Sequence, residues 1–376
     1  MNIKRIKDGI NLRANKFINQ KRGWKTDRKI VVIESDDWGS IRMPNREVYN
    51  NSLKRDIRVD HCHYCKYDTL ASNDDLDALY SVLRKHRDVN GRNPIVTANT
   101  IVANPDFSKI KNDNFEKYHF ELFTETLKSY PNRSFDVWQQ GIDEEVFFPQ
   151  LHGREHLNVE RWLKTLKSGS KEINFAFENN YFGISKAISN EKNPSFMAAL
   201  DYDNDMSRQL GNEATVQGTK IFSDIFGFAS RSFIGPNYFW HKETERILAK
   251  NNVEYLQGGY VQNLPNNKKS YHYLGQKNSF NQIYLTRNVI FEPASLVEKD
   301  WVSCALLEIE NAFNLKAPAI ICTHRVAFIG SVFEENRTKN LQILDQLLSE
   351  IVKRWPEIEF MNSVQLGDTI KKDTLL

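Results

Sequence analysis

The sequence predicts an α/β fold built on a parallel sheet, and three observations carry that expectation. Short β-rich runs alternate with helical patterns along the whole chain. Most of these runs end in polar residues, so reactive side chains fall at strand ends, where parallel sheets present their sites. At 376 residues and 40% hydrophobic content, the chain can bury a large core as one big domain or two smaller ones.

The first expected strand is Ile30 to Ser35, an apolar run closed by Asp36 and Asp37. Ile95 to Asn99, Phe226 to Ser230, Val253 to Leu256, Asn288 to Glu292, Ala319 to Thr323 and Ile358 to Asn362 repeat the pattern. Between them, Leu76 to Arg87, Phe115 to Ser129, Val159 to Lys167, Phe239 to Lys250, Val302 to Phe313 and Asn340 to Trp355 carry helical periodicity. A closed barrel and an open doubly wound sheet both satisfy this alternation. Lys171 to Gly218 is polar, rich in Asn and Ser and less periodic, which predicts a long insertion with a short helix at Phe196 to Leu200.

Net charge is +3, so no global field argues for a nucleic-acid partner. The segment before Arg28 is distinctly basic: Met1 to Lys29 holds ten Lys or Arg against Asp8 and Asp27. Ile3, Ile6, Ile10 and Phe17 share a helical face there, so residues 1–27 read as a basic amphipathic segment docked on the protein body, with a membrane-surface contact the less favoured reading. No apolar stretch is long enough to span a bilayer and no secretory h-region is present, which predicts a cytoplasmic location. Four cysteines are too few for a disulfide framework at this size and agree with a reducing compartment. Seven Trp and 23 Phe could line a sugar cleft, although most must serve the core.

Asp36 and Asp37 at a strand end are the first candidate site: one can ligate a metal while the other accepts a proton, the plain alternative being a turn cap before Trp38 and Gly39. His152 and His156 are four apart, which on a helix would aim both imidazoles at one divalent ion. His324, closing the run Ala319 to Thr323, is a candidate proton donor. Asn99 and Asn104 follow the second strand.

In order and approximate placement, Ser35-Asp36-Asp37-Trp38-Gly39, His152-Gly-Arg-Glu-His156 and Cys322-Thr323-His324 resemble the motifs of the polysaccharide deacetylase family, carbohydrate esterase family 4 with its nodulation-type deacetylase domain. The resemblance spans roughly Arg28 to Gly367. It implies a distorted barrel of about seven parallel strands with outer helices, over residues 28–376. It also implies Asp36 as general base, Asp37, His152 and His156 as ligands of a divalent metal, zinc first, and His324 as general acid. Arg231-Ser-Phe-Ile-Gly235-Pro236 loosely matches the arginine motif, which would make Arg231 the partner of the base; Phe233 stands where a proline is usual. Asp300-Trp301 loosely matches the family's Asp-Trp motif. Trp38, Asn99, Asn104 and Trp301 are then the expected substrate contacts. The implied reaction is hydrolysis of an N-acetyl group, or less readily an O-acetyl group, on a sugar in a polysaccharide or glycolipid intermediate.

Two rivals start from the same residues. His152-Gly-Arg-Glu155-His156 also spells an inverted zinc-protease motif with Glu155 as base, and a glycan-binding barrel without turnover would keep the fold. His61-Cys62-His63-Tyr64-Cys65 is a second cluster of soft ligands; without a further Cys or His pair nearby in sequence it reads as a loop over the cleft. His86, His119, His241 and His272 read as core or surface residues.

Overall fold

The computed structural model describes residues 21–184, 188–189 and 196–374. The basic reading of residues 1–27 therefore falls mostly outside the described residues. Nine strands form one sheet: β1 (Ile30–Trp38), β2 (Val96–Ile101), β3 (Phe147–Gly153), β4 (Ser232–Phe233), β5 (Tyr255–Gly258), β6 (Ile283–Thr286), β7 (Val289–Ile290), β8 (Ala319–His324) and β9 (Glu359–Met361). Their order is β6-β5-β4-β3-β2-β1-β8-β7, with β9 beside the first residues of β1, and the paired neighbours run parallel.

The two edges of this sheet, β6 and β7, are separated only by Arg287 and Asn288. The Arg287 N–H donates to Gly258 O of β5 at 2.8 Å, and the Asn288 N–H donates to Ile320 O of β8 at 3.2 Å. One length of chain thus crosses from edge to edge and curls the sheet into a distorted barrel, with β6 and β7 acting as a single bent strand.

Alternation along the strands sorts the side chains into two populations. Val31 and Ile33 of β1, Leu151 of β3, Leu256 of β5 and Ile321 of β8 point outward into the main core, against helices such as Asn73–Leu83, Phe135–Asp143 and Trp301–Asn314. Ile30, Val32, Tyr255 and Ile320 point inward and fill the base with Val364, Leu366 and Ile370 of the C-terminal helix Ser363–Asp373. Above that apolar floor, the same inward series continues in polar residues. Glu34, Gln150, Ser232 and Gln257 form a buried hydrogen-bonded middle layer, which carries Asp36, Asn99, His152 and His324 at the mouth.

Several expected elements shift. Phe226 to Ser230 is not a strand: Phe226 ends the 22-residue helix Asp205–Phe226, which stops at Gly227 in the left-handed conformation (φ +76°). The expected insertion holds the helix Lys171–Glu178 and the start of that long helix, which runs past Gly218, while Phe196 to Leu200 is non-helical. The polar composition misled here because the long helix buries one narrow face, including Ala214, Gly218 and Phe222, and leaves the rest to solvent. Phe115 to Ser129 splits into the strand Phe120–Leu122 and the helix Phe123–Lys128. Among the described residues, no helix is long and apolar enough to cross a membrane.

Candidate active site

Asp36 and Asp37 both reach the barrel mouth because β1 breaks its own alternation. Asp37 adopts φ +74°, and the pairing of β1 with β2 shifts register between Ser35 and Trp38. On a regular strand, adjacent side chains face opposite ways. The bulge turns Asp37 inward beside Asp36 and sends Trp38 outward. A non-glycine residue held in that region costs about 1–3 kcal/mol. The following turn needs Gly39, at φ +78°, because a Cβ there would lie 2.2 Å from Ile101 O.

The two histidines arrive differently from the helical spacing expected. His152 lies near the end of strand β3, and His156 follows in the turn after Gly153 (φ +135°). Their convergence comes from this turn. His152 Nε2 lies 3.4 Å and His156 Nε2 3.2 Å from Asp37 Oδ1, and one ligand atom from each residue falls within 4.8 Å of the other two. The second carboxylate oxygen of Asp37 accepts from Arg42 Nη2 at 2.9 Å, which leaves Oδ1 facing the imidazoles. His152 Nδ1–H donates to Ile234 O at 2.9 Å, so its Nε2 carries the free lone pair. His156 Nδ1 is buried without a hydrogen-bond partner. Burial, the largest influence, holds His156 below the usual histidine range, against the pull of Asp37. Arg42 and His156, outweighing burial, hold Asp37 well below the usual carboxylate range. Two imidazole nitrogens and one carboxylate oxygen are a donor set suited to a divalent ion with open positions.

Asp36 lies beside this trio. It accepts from Arg287 Nη1 at 2.7 Å, Arg287 Nη2 at 2.6 Å and Asn99 Nδ2 at 2.8 Å. Burial pushes its pKa up, but Arg287 outweighs burial, with His152 and His324 assisting, and Asp36 is held as an anion. Arg287 also donates through Nε to Glu34 at 2.6 Å, so the guanidinium is clamped between two carboxylates in the barrel interior. His324 Nε2 lies 3.8 Å from Asp36 Oδ2, and its Nδ1 is 2.5 Å from Glu292 Oε1. Burial would depress His324, but Glu292, with Asp36 and Asp37, raises it well above the ordinary histidine value. The enclosing cavity has a volume of about 220 Å³, with Cys62, Tyr64, Met197 and Tyr238 in its walls.

The structure does not bring every expected residue here. Arg231 precedes β4 and points away: it pairs with Asp368 (2.9 and 2.6 Å) and Glu254 (2.8 Å) at the barrel base, and its side chain is 37% exposed. The arginine on Asp36 is Arg287, which sequence reasoning missed; its signal is its place directly before the expected strand Asn288 to Glu292. Glu292, the partner of His324, ends that same stretch. Trp38 is a core residue, edge-on to Phe147 at 4.8 Å, with its Nε1–H donating to Ser35 Oγ. Trp301 begins the helix Trp301–Asn314 and packs in the outer core, and Asp300 is that helix's cap. Asn104 is fully buried and ties the turn after β1, accepting from Ile41 N–H and donating to Gly39 O, both at 2.9 Å. Asn99 orients Asp36 and Gln257 and is not a wall of the cavity. Glu155 is committed to an ion pair with Arg154 and faces a different cavity, so the inverted-protease reading lacks its base.

No family model matches the sequence, and no curated protein matches it. Among solved structures, the chain is similar to a Mycobacterium smegmatis protein provisionally described as a polysaccharide deacetylase, at 9% identity over 94% of this chain and 93% of that one, TM-score 0.45. It is also similar to Puue allantoinase, at 10% identity over 92% and 91% of the two chains, TM-score 0.48. Peptidoglycan deacetylase PdaC from Bacillus subtilis is matched at 10% identity over 92% and 93%, TM-score 0.32. At these identities and TM-scores the likeness decides nothing about the chemistry, which rests on this chain's own side chains.

Proposed function

We propose that this chain is a metal-dependent hydrolase that removes the acetyl group from an N-acetylated sugar, in the manner of the polysaccharide deacetylases whose motif order it resembles. The observation that carries the reading is the convergence of Asp37, His152 and His156 on one point, with Asp36 and His324 beside it and outside the ligand trio. A divalent ion held by the trio, zinc by the chemistry of its donors, would polarise the acyl oxygen and acidify water.

The chain's own residues do the rest. Asp36, fixed by Arg287 and Asn99, stays ionised and takes the proton of the attacking water. Its low basicity makes it a positioned acceptor more than a strong one. His324, kept protonated by Glu292, gives its proton to the departing amine. Tyr64 sits edge-on to the His324 ring at 5.3 Å. An O-acetyl ester would fit the same groups, but its better leaving group needs His324 less.

Metal analysis of the purified chain, followed by acetate release from a panel of N-acetylated sugars, tests the reading. Asp37→Ala is expected to lose both metal and turnover. Asp36→Asn should keep the metal and lose roughly 10²- to 10⁴-fold in turnover, while Glu155→Gln should retain activity. Bound metal and tight sugar binding without acetate release would instead make the chain a glycan-binding barrel.

A further inference from the structure

Cys62 and Cys65 line the same cavity as Asp37, His152 and His156, and the hydrolytic reading leaves their thiols idle. Cys62 immediately precedes the short helix His63–Tyr67, and Cys65 lies within its first turn. Cys62 is the extended residue that opens this helix and Cys65 is its third residue, so the two side chains sit together at one helix end, on one cavity wall. The Cys65 S–H donates to the Gly183 carbonyl at 3.1 Å, in the same cavity wall. Among the described residues no third ligating side chain gathers with them, so a structural metal has no site here.

The two thiols are unequal. Cys62 is partly exposed, whereas Cys65 is buried. The hydrogen bond from Cys65 is the largest influence on Cys62; backbone N–H groups and the Arg42 charge assist it against burial, and the Cys62 thiol is lowered to about 6. Cys65 is raised, first by the Cys62 sulfur and then by burial. An accessible thiolate beside a buried thiol is the arrangement of an attacking and a resolving cysteine.

We propose that Cys62 and Cys65 are a dithiol–disulfide pair in the wall of the catalytic cavity, oxidised by a low-molecular-weight disulfide. Cys62 thiolate attacks one sulfur of the oxidant, forms a mixed disulfide and expels one small thiolate. Cys65 sulfur then attacks the Cys62 sulfur, a second small thiol leaves with the Cys65 proton, and the Cys62–Cys65 bond remains. Two protein thiols are oxidised and one external disulfide is reduced. Closure removes the S–H that holds Gly183, so oxidation frees that side of the cavity while tightening the turn that carries Tyr64. The cavity's catalytic role rests on the hydrolase reading; the thiol chemistry stands apart from it.

Oxidised glutathione added to the purified full chain, with mass spectrometry of the peptide holding both cysteines, tests the pair without any activity assay. The wild type should end two hydrogens lighter with no retained glutathione, Cys65→Ser should stop as a glutathione adduct on Cys62, and Cys62→Ser should form neither. A stable glutathione adduct on the wild type, or an unreactive Cys62, would overturn the proposal. Amide exchange over residues 181–184 should quicken roughly 2- to 10-fold in the oxidised protein, the worth of one hydrogen bond. Unchanged exchange would refute the coupling to the cavity wall.

Discussion

Arg287 and Arg231 hold carboxylates at opposite ends of one barrel, and their difference shows what makes an ion pair functional. Each makes short contacts to two acidic side chains: Arg287 to Asp36 and Glu34, Arg231 to Asp368 and Glu254. Local geometry is nearly the same. Solvent is not: the Arg287 side chain is 3% exposed and that of Arg231 is 37% exposed. In water the attraction is largely screened and worth about 0–1 kcal/mol. In the interior, each charge depends on its partner to offset lost hydration, so removing one costs about 3–5 kcal/mol.

The sharpest way to break this comparison is Arg287→Met. It strands Glu34 and Asp36 in the barrel interior, and unfolding free energy should fall by about 3–5 kcal/mol, measured by chemical denaturation. Turnover should fall with it, because Asp36 loses two of its three hydrogen bonds. A loss below about 1 kcal/mol would mean that the two acids take up a proton at little cost, and that Asp36 is not held as an anion.

The same pair of arginines shows how much was legible in the sequence. The barrel alternation was readable, since β1 and β8 bury Val31, Ile33, Ile320 and Ile321 in continuous apolar runs. Asp36, Asp37, His152, His156 and His324 stood out because strand ends and close spacing are local signals. Arg287 did not, because its importance comes from the seam where β6 gives way to β7, a contact between residues 251 positions apart. Motif spacing points to Arg231, yet that side chain pairs with Asp368 and Glu254 at the barrel base. Helical spacing pairs His152 with His156, but a strand end and a glycine turn are what bring them together. Trp38 followed from neither pattern: a single left-handed residue, Asp37, reverses which way it faces.

A smaller perturbation separates charge from position on the other side of Asp36. Glu292 raises His324, so protonation of His324 stabilises the fold fully below the ordinary histidine pKa, and that contribution is lost as pH rises through the raised native value. Glu292→Gln removes the charge and keeps a hydrogen-bond acceptor. The basic limb of kcat/KM should then move to lower pH, and the stability difference from wild type should be largest below the ordinary histidine value and vanish in alkaline buffer. A basic limb that stays in place would show that His324 is not the proton donor.

The smallest effect is expected at Arg231, where the sequence motif had placed the partner of the base. Arg231→Met leaves Glu254 with Lys371 and Asp368 with the Tyr255 hydroxyl. Both acids therefore keep a partner, and each is part exposed, at 31% and 45%. No charge is left buried and alone. The expected loss is within about 1 kcal/mol, shrinking further in high salt because exposed charges are screened, with the pH profile of turnover unchanged. Should Arg231→Met instead abolish activity while Arg287→Met spares it, the motif spacing would outrank the geometry, and Asp36 would need a different orienting group from the one at the barrel seam.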